Sequence, residues 1–294
     1  MSSSDSPPTA PRVALIGFGE AGECFARAGH WQAHATGWDL LEDRRALMAD
    51  CGIRAGRDAS DALTDAQCIL SLVTADAALP AARGYAADLH AGAIWLDMNS
   101  VSPATKRAAA DAVISAGGRY TDVAVMAPVG TGLDVPLLVA GPDADEAAAL
   151  LAALGFSRVR SVGKEVGQAS AIKLCRSVMV KGLEALTGEM VLAASQAGVL
   201  DEVLASLDAS EKPVSWAERA DYNLDRMLVH GRRRAAEMEE ASAMLRDLGV
   251  EPLLSAGTIA RQRLLGNLEL TPPPDGLSGK LEAIRLHPDI VGEN

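Results

Sequence analysis

Short apolar segments alternate with longer alanine-rich segments over the first half of the chain. Between residues 12 and 162 the apolar segments read RVALIGF, HATGWD, CILSLVT, AIWLDM, GRYTDVAVM and PLLVAG. Several are apolar without alternation, which is typical of strands covered on both faces. Strands separated by helical segments of about 10–15 residues indicate βαβ units. The pattern therefore predicts an α/β fold with a doubly wound, mostly parallel sheet.

The pattern changes after residue 163. Residues 164–199 predict one long helix, because apolar residues recur there at helical spacing. The stripe consists of Ile172, Cys175, Met179, Leu183, Leu186 and Met190. Ser215 and Glu218 in SWAE predict a capping box at the start of a second long helix, which runs to Gly249. We expect an all-α region without strands, whose regular part ends at the proline-rich segment near 271–276.

Composition restricts the possible partners and compartments. A formal net charge of −12 would repel phosphates, so we expect no nucleic-acid partner. No apolar stretch approaches the roughly 18 residues of a membrane span, and residues 1–10 are expected to be a disordered leader rather than a signal peptide. The cysteines lack paired spacing, which predicts buried free thiols in a cytoplasmic protein and no metal site. They are Cys24, Cys51, Cys68 and Cys175.

A glycine-rich segment follows the first predicted strand. Val13 to Ile16 are apolar, and Gly17, Gly19 and Gly22 precede a segment of helical composition. In a dinucleotide site these glycines allow a tight turn, a close approach to the pyrophosphate and close helix–strand packing. The alternative is an ordinary turn that contains glycines. We predict that this segment contacts a cofactor through Gly17, Phe18, Gly19, Glu20, Ala21 and Gly22.

An acidic residue stands where such a site requires one. Asp39 follows the second apolar segment, about 20 residues after the glycines, where a carboxylate binds the ribose hydroxyl groups. It would repel a 2′-phosphate and favours NAD, although the nearby Arg44 and Arg45 leave NADP open. Thr74 and Asn99, each close to the end of a predicted strand, complete the predicted cofactor contacts.

Three later motifs resemble those of the β-hydroxyacid dehydrogenase family, which includes 3-hydroxyisobutyrate and 6-phosphogluconate dehydrogenases. The first, DMNSVSP at 97–103, is similar to the family segment D-x-S-T-x-x-P, with Asn99 and Ser100 in place of serine and threonine. The resemblance implies that both contact the substrate and that Asn99 also contacts the nicotinamide. As short polar groups, both can bond a hydroxyl or a carboxylate. Alternatively they form a turn that caps the helix at Pro103.

The second motif is APVGTG at 127–132, which resembles the family sequence A-P-V-S-G-G. Such a loop exposes backbone amides that can bind a carboxylate. The resemblance implies that Gly130, Thr131 and Gly132 position an acidic substrate. The alternative is a plain connection between a strand and a turn.

The third motif is GQASAIKLCRS at 167–177. It resembles the family pattern G-x-G-x-x-x-K-x-x-N-N, whose lysine is catalytic. Gly167 and Lys173 match, whereas Ala169, Arg176 and Ser177 replace the second glycine and the two asparagines. The resemblance implies that Lys173 is the general acid/base, with Ser177 one turn away on the same face. The alternative is a solvated lysine at the edge of a helix.

Charge is concentrated at 227–241, MLVHGRRRAAEMEEA. His230, Arg233 or Arg234, and Glu237 would share one helix face. An arginine of this face could bind an anionic substrate, or the face could be a surface with Arg–Glu pairs. His230 has no second ligand at metal-binding spacing.

Together these features predict a Rossmann domain over 11–163 and a helical substrate and dimerisation domain over 164–294. The predicted activity is hydride transfer between a small hydroxy acid and NAD or NADP. The apolar helices favour a homodimer. One alternative is an imine reductase, a class that generally lacks a lysine at the Lys173 position. Another is a non-catalytic NAD-binding sensor.

Overall fold

The computed structural model describes residues 11–210 and 213–291, apart from some side chains within the later helices. The predicted leader over 1–10 lies outside this range. An eight-stranded sheet forms the first half of the fold. Its strands are β1 (Val13–Ile16), β2 (Ala35–Trp38), β3 (Arg54–Ala55), β4 (Cys68–Ser71), β5 (Ile94–Asp97), β6 (Arg119–Val125), β7 (Leu137–Ala140) and β8 (Val159–Gly163).

The sheet has the order β3-β2-β1-β4-β5-β6-β7-β8. All neighbours are parallel except β6 and β7, which are antiparallel. This arrangement confirms the predicted doubly wound fold. The helices between the strands are α1 (Glu20–Gly29), α2 (Glu42–Asp50), α3 (Ala59–Leu63), α4 (Ala78–Tyr85), α5 (Pro103–Ser115) and α6 (Ala144–Ala153).

Apolar side chains cover both faces of the sheet. Val13 and Leu15 of β1 belong to one buried cluster, and Ala14 and Ile16 belong to another. Successive strand residues point to opposite faces, so these are the cores on the two sides of the sheet. The continuous apolar runs of the sequence result from this double burial.

Two strands were not expected from the sequence. β3 and β8 are the edge strands of the sheet, and both residues of β3 are exposed while β8 is exposed or half-buried. Edge strands carry polar residues because one side faces water. They therefore lack the apolar pattern by which the inner strands were identified.

The second half of the described chain contains helices and, in residues 164–210 and 213–291, no strand, as expected. The capping box is confirmed, since the Ser215 N–H donates to Glu218 Oε2 at 2.9 Å and the Glu218 N–H to Ser215 Oγ at 3.2 Å. The helices are α7 (Gln168–Gln196), α8 (Leu200–Ser210), α9 (Trp216–Asp247), α10 (Leu253–Asn267), α11 (Gly276–Leu286) and α12 (Pro288–Val291).

One expectation about this region is wrong. The proline-rich segment does not end the regular structure, because α11 and α12 follow it. Lys280 of α11 is buried and donates to Asp221 of α9 at 2.8 Å. This contact ties the last helices to the second long helix.

The chain divides into two compact units, one ending at Ser177 and the other beginning at Val178. We refer to them as the nucleotide unit and the helical unit. The division falls inside α7, later than the sequence-based boundary at 163/164. The first turns of α7, which carry Lys173, therefore belong to the nucleotide unit.

The cysteines are only partly as expected. Cys51 and Cys68 are buried free thiols, whereas Cys24 is half-buried and Cys175 is exposed. Burial raises the pKa of Cys68 to about 12, so this thiol stays protonated at neutral pH. Among the described residues no helix is long and apolar enough to cross a membrane, and no cluster of side chains suits a metal ion.

Candidate functional site

The loop between β1 and α1 contains two glycines that packing requires and one that it does not. Gly17 has a φ of 92°, and a Cβ there would lie 2.6 Å from the Leu72 carbonyl oxygen. A Cβ on Gly22 would lie 2.9 Å from the Gly17 carbonyl oxygen. A Cβ on Gly19 would meet nothing within 4 Å. The space beside Gly19 can therefore admit a ligand, and no side chain caps the helix N-terminus there, which suits a pyrophosphate.

Asp39 lies beside this loop because β2 pairs with β1. Its Oδ2 accepts a hydrogen bond from the Phe18 N–H at 2.7 Å, and its Oδ1 accepts one from the Leu41 N–H at 2.9 Å. A carboxylate offers about four lone-pair positions, so acceptor capacity remains for ribose hydroxyl groups. The glycine loop and Asp39, the two most specific features of the predicted cofactor site, thus lie next to each other.

The other residues predicted in this loop differ in what they can offer. Phe18 is fully buried in the core and its N–H is already bonded to Asp39, so its role is to shape the loop. Ala21 packs against the same core. Glu20 is exposed at the first position of α1. Only the backbone of these residues faces the predicted pyrophosphate position.

Arg45 stands close to the predicted ribose position. Its guanidinium donates to the Asp39 carbonyl oxygen at 2.6 Å and lies 4.8 Å from the centre of the Trp38 ring. A cation held there can offset part of the repulsion between Asp39 and a 2′-phosphate. The geometry of the site therefore does not exclude NADP.

Thr74 follows β4, the other neighbour of β1. It is exposed, and its hydrogen bond to Asp76 lowers the pKa of that carboxyl group. Parallel strands end at a common edge of the sheet, so Thr74 and the glycine loop lie at the same edge. The structure thus leaves Thr74 accessible for a cofactor contact.

Asn99 is buried just after β5, and its amide has a defined orientation. The Nδ2 group donates to Asp97 Oδ1 at 2.8 Å and to Ser71 Oγ at 2.9 Å. Both N–H donors are used, whereas Oδ1 has no hydrogen-bond partner among the described residues. The acceptor capacity of Asn99 is therefore unused, and its Oδ1 is buried in this conformation. Asn99 has no donor left for a carboxylate, which corrects that part of our expectation.

Lys173 and Ser100 meet across the site. The Lys173 Nζ donates to Ser100 Oγ at 2.5 Å, which joins the loop after β5 to the first turns of α7. Lys173 is half-buried, and Ser100 is exposed. The sequence motifs that contain them are 73 residues apart, and the fold brings them into contact.

Beneath this pair lies a charged cluster that the sequence analysis missed. Lys106, Asp97 and Asp122 are fully buried, and Lys106 Nζ lies 2.9 Å from Asp97 Oδ1 and 3.3 Å from Asp122 Oδ1. Tyr120 donates to Asp97 Oδ2 at 2.6 Å. Burial and the charge of Asp97 raise the pKa of Tyr120 far above its ordinary value, so its hydroxyl group stays protonated and donates to Asp97. The signal available in the sequence was a carboxylate within each of two apolar strands, IWLD and RYTDVAV.

The loop at 130–132 contacts a different part of the nucleotide unit. It belongs to a short 3₁₀ segment packed on α1, where Cys24 donates to the Val129 carbonyl oxygen. Gly132 is buried with a φ of 61°, and a Cβ there would lie 2.8 Å from Ala28 Cβ. Packing therefore explains this glycine, whereas Gly130 and Thr131 are exposed. Ser177 is half-buried, one turn beyond Lys173 on α7.

The charged face of α9 is divided. Arg232 is paired with Glu269 at 2.9 Å. His230 and Arg233 line one cavity of about 460 Å³, whereas Arg234 lines another of about 340 Å³. The side chain of Glu237 lies outside the described residues. Arg232 lies off the predicted face, so its pair with Glu269 leaves both interpretations of that face open.

Comparisons with known proteins agree with this geometry. The NAD binding domain of 6-phosphogluconate dehydrogenase matches residues 12–155, and a domain of unknown function, DUF1932, matches residues 194–265. A conserved hypothetical protein from Sinorhizobium meliloti is 34% identical, with 94% of this chain and 96% of that chain covered and a TM-score of 0.61. A conserved protein of unknown function with structural similarity to 3-hydroxyacid dehydrogenases is 29% identical over 87% and 97%, with a TM-score of 0.59.

The fold is also that of imine reductases. An imine reductase variant from Myxococcus stipitatus, solved with NAD⁺, is 20% identical over 93% of this chain and 99% of that chain, with a TM-score of 0.73. These matches define a NAD(P)-binding protein with a hydroxyacid dehydrogenase-like fold. The chain belongs to the family that combines the NAD binding domain of 6-phosphogluconate dehydrogenase with a DUF1932 region.

Proposed function

We propose that this protein oxidises a small hydroxy acid, or reduces the corresponding oxo acid, with NAD as cofactor. The observation that carries the proposal is the contact of Lys173 Nζ with Ser100 Oγ, 2.5 Å long, next to the unpartnered Oδ1 of Asn99. A proton-transferring group, a hydroxyl and a free acceptor therefore stand together. They lie at the sheet edge that also carries the glycine loop.

Each side chain has a task in this reaction. Lys173 takes the hydroxyl proton as the alcohol carbon is oxidised, and it returns the proton in the reverse direction. Ser100 bonds the amine and keeps it directed at the reacting hydroxyl. Asn99 Oδ1 accepts a hydrogen bond from a donor on the ligand. The bound nicotinamide would supply the hydride acceptor, held by the glycine loop and by Asp39.

We propose NAD as the preferred cofactor because Asp39 offers acceptors to a ribose diol and repels a 2′-phosphate. Arg45 reduces that repulsion without occupying the Asp39 carboxylate, since it donates to the backbone carbonyl oxygens of Asp39 and Leu40. NADP is therefore the second cofactor to test. An Asp39→Ala variant should lose affinity for NAD more than for NADP.

The substrate is proposed to carry a carboxylate. Gly130 and Thr131 are exposed beside α1, and their backbone amides are the candidate carboxylate contacts. The Gly132 amide is not a candidate, because packing buries this residue. The test is to compare a 3-hydroxy acid with its amide, which should be turned over far less efficiently.

A homodimer is proposed from the apolar surface of the long helices. Met179, Leu183 and Leu186 of the stripe on α7 are each more than two-fifths exposed in the single chain. A second copy of the chain would cover these side chains, which face water in the single chain. Light scattering should give twice the chain mass, and replacement of Leu183 and Leu186 by Glu should give monomers. A cytoplasmic location stays a prediction.

Imine reduction is the second candidate, because the fold is shared with imine reductases. That class generally lacks the lysine found here at 173. A hydroxyl substrate needs a group that removes its proton, and Lys173 provides one. A sensor that binds NAD without turnover is the third candidate.

The decisive experiment follows NADH formation over a panel of small 3-hydroxy acids and sugar acids with NAD and with NADP. Lys173→Ala should lower kcat by about 10²–10⁴-fold with little change in the affinity for NAD. Lys164→Ala is the matched control, because Lys164 is exposed and paired only with Asp145 at 3.3 Å.

The outcomes separate the candidates. Turnover in wild type and in Lys164→Ala, but not in Lys173→Ala, supports the proposal. Turnover of cyclic imines alone, insensitive to Lys173, favours the second candidate. Tight NAD binding without turnover of any substrate favours the sensor.

A further inference from the structure

We propose that the buried Lys106 is a positioning residue that holds Asn99 and Lys173 in their relative positions. The inference rests on the proposed function for its activity readout. Its geometric basis is independent of that function, because it concerns how two segments of the nucleotide unit are joined. Lys106 lies on α5 and touches neither Asn99 nor Lys173 in the contacts described above.

The first half of the connection leads to Asn99. Asp97 Oδ1 accepts hydrogen bonds from the Asn99 N–H at 2.9 Å, from Asn99 Nδ2 at 2.8 Å and from Lys106 Nζ at 2.9 Å. Lys106 Nζ also donates to the Asp97 carbonyl oxygen at 2.5 Å. Lys106 thereby fixes the carboxylate that orients the Asn99 amide and leaves its Oδ1 without a partner among the described residues.

The second half leads to Lys173. Asp122 Oδ2 accepts hydrogen bonds from the Gly167 N–H at 3.1 Å, from the Ser170 N–H at 2.9 Å and from Ser170 Oγ at 3.0 Å. These donors lie at the start of α7, less than two turns before Lys173. The other oxygen of Asp122, Oδ1, accepts no hydrogen bond from the described residues and is paired with Lys106 by charge alone, 3.3 Å from Nζ. The position of α7 thus depends on where Asp122 is held.

Charge explains why one lysine serves both carboxylates. Asp97 and Asp122 are directly paired neighbours in β5 and β6, and neighbouring strands lie only about 4.8 Å apart. Two carboxylates that close together in a site without solvent repel each other strongly. The Lys106 ammonium group attracts both carboxylates and so offsets the repulsion between them. Without it we expect the two carboxylates to separate and to carry Asn99 and α7 apart.

The alternative role is stability alone, since removing one member of a buried ion cluster is strongly destabilising in general. Three variants separate the two roles by charge. Lys106→Met leaves two buried carboxylates, and Asp122→Asn leaves one carboxylate and the lysine. The double variant K106M/D122N keeps the wild-type net charge of the cluster but lacks the connection between the two segments. It is the decisive variant if Lys106→Met does not fold.

The readout that does not depend on turnover is the NMR signal of Lys173 after ¹³C reductive methylation of the full-length protein, identified by its absence in Lys173→Arg. A dimethylammonium group held by Ser100 should show two separate methyl signals. Ser100→Ala should merge them. Asp65→Asn is the surface control, because Asp65 pairs with Arg12 at 3.2 Å with both side chains exposed.

We expect the methyl signals to merge in K106M/D122N and to stay separate in Asp65→Asn. The kcat/KM of the double variant should fall about 100-fold, with the affinity for ADP-ribose unchanged, because the glycine loop and Asp39 are not part of the cluster. A folded double variant with separate methyl signals would overturn the proposal. If wild type turns over no panel member, the NMR comparison alone still decides the positioning role, while the proposed function fails separately.

Discussion

The two units of this protein bury their apolar residues to very different extents. In the nucleotide unit the large apolar side chains of the core are almost completely buried, with Trp95, Phe25 and Ile16 at most 1% exposed. In the helical unit Leu192, Leu207, Trp216 and Leu253 are all more than half exposed. A sheet with helices on both faces can bury its apolar positions within one chain. Long helices with few neighbours cannot, so the proposed homodimer would cover apolar surface of the helical unit.

The units are alike in one respect, because each uses a buried carboxylate to hold the start of a helix. Asp122 accepts the first N–H groups of α7, and Glu189 accepts the Leu254 and Ser255 N–H groups at the start of α10 at 2.8 and 3.0 Å. The carboxylate in the nucleotide unit has a lysine as counter-ion. Glu189 is instead held by hydrogen bonds and by the helix dipole.

The largest effect on folding is expected in the core of the nucleotide unit. Phe25→Ala removes a fully buried ring that packs edge-on against Phe156, with the ring centroids 5.1 Å apart. The free energy of unfolding should fall by about 3–5 kcal/mol. In a Trp216→Phe background the three remaining tryptophans lie in the nucleotide unit, so their fluorescence follows its denaturant unfolding.

Leu183→Ala is the matched control for this comparison. Leu183 is 46% exposed, so its removal should leave the fluorescence transition of the nucleotide unit in place. Its effect should be a stronger dependence of assembly on protein concentration. An equal loss of stability in both variants would contradict the contrast between the units.

Glu189→Gln should have the next largest effect, about 1–3 kcal/mol, confined to the helical unit. Burial raises the pKa of Glu189, but hydrogen bonds from Ser255 and Leu254 outweigh it and hold the pKa below its ordinary value. The stabilisation is therefore complete above the unfolded pKa of about 4.3 and is lost as the pH falls through the folded pKa.

Hydrogen exchange over α10 is the measurement for Glu189. At pH 7 the first turn of α10 should exchange faster in Glu189→Gln than in wild type, while exchange in β1 and β4 stays unchanged. In urea unfolding the stability difference between the two proteins should shrink below about pH 4. A difference that persists at low pH would show that the carboxylate charge is not responsible.

Ser215→Ala should cost about 1 kcal/mol, because it removes the side-chain cap of α9. The first turn of α9 should exchange faster, without an effect on the nucleotide unit. Ser206→Ala is the control, since Ser206 is exposed inside α8 and caps no helix. Equal exchange in the two variants would mean that the cap does not limit fraying.

Gly19→Ala should have the smallest effect on folding, within about 0.5 kcal/mol, because a Cβ there meets nothing within 4 Å. Its effect should instead be on the ligand, with an affinity for NAD at least tenfold weaker in isothermal titration. Gly22→Ala should instead lower the stability of the nucleotide unit, because its Cβ would clash with the Gly17 carbonyl oxygen. Unchanged NAD affinity in Gly19→Ala would remove the glycine loop from the cofactor site.

Sequence reasoning succeeded where one local pattern is sufficient to specify a structure. The six inner strands, the turn that carries the glycine loop and the capping box at Ser215 are each specified by adjacent residues. It failed for β3 and β8, whose edge positions remove the apolar signal, and for α11, whose alternation of polar and apolar residues follows a proline-rich segment. It also assigned Gly132 to a substrate, although Ala28 explains it.

The sequence by itself determined the α/β class, the cofactor loop and the candidate lysine, because hydrophobic periodicity and short motifs depend on neighbouring residues. Only the tertiary structure decided that Asn99 Oδ1 stays without a partner among the described residues, that Lys173 meets Ser100 and that Lys106 pairs with both Asp97 and Asp122. Those facts include contacts between residues up to 73 positions apart. Contacts at such separations arise from strand order and packing, which no local pattern in the chain records.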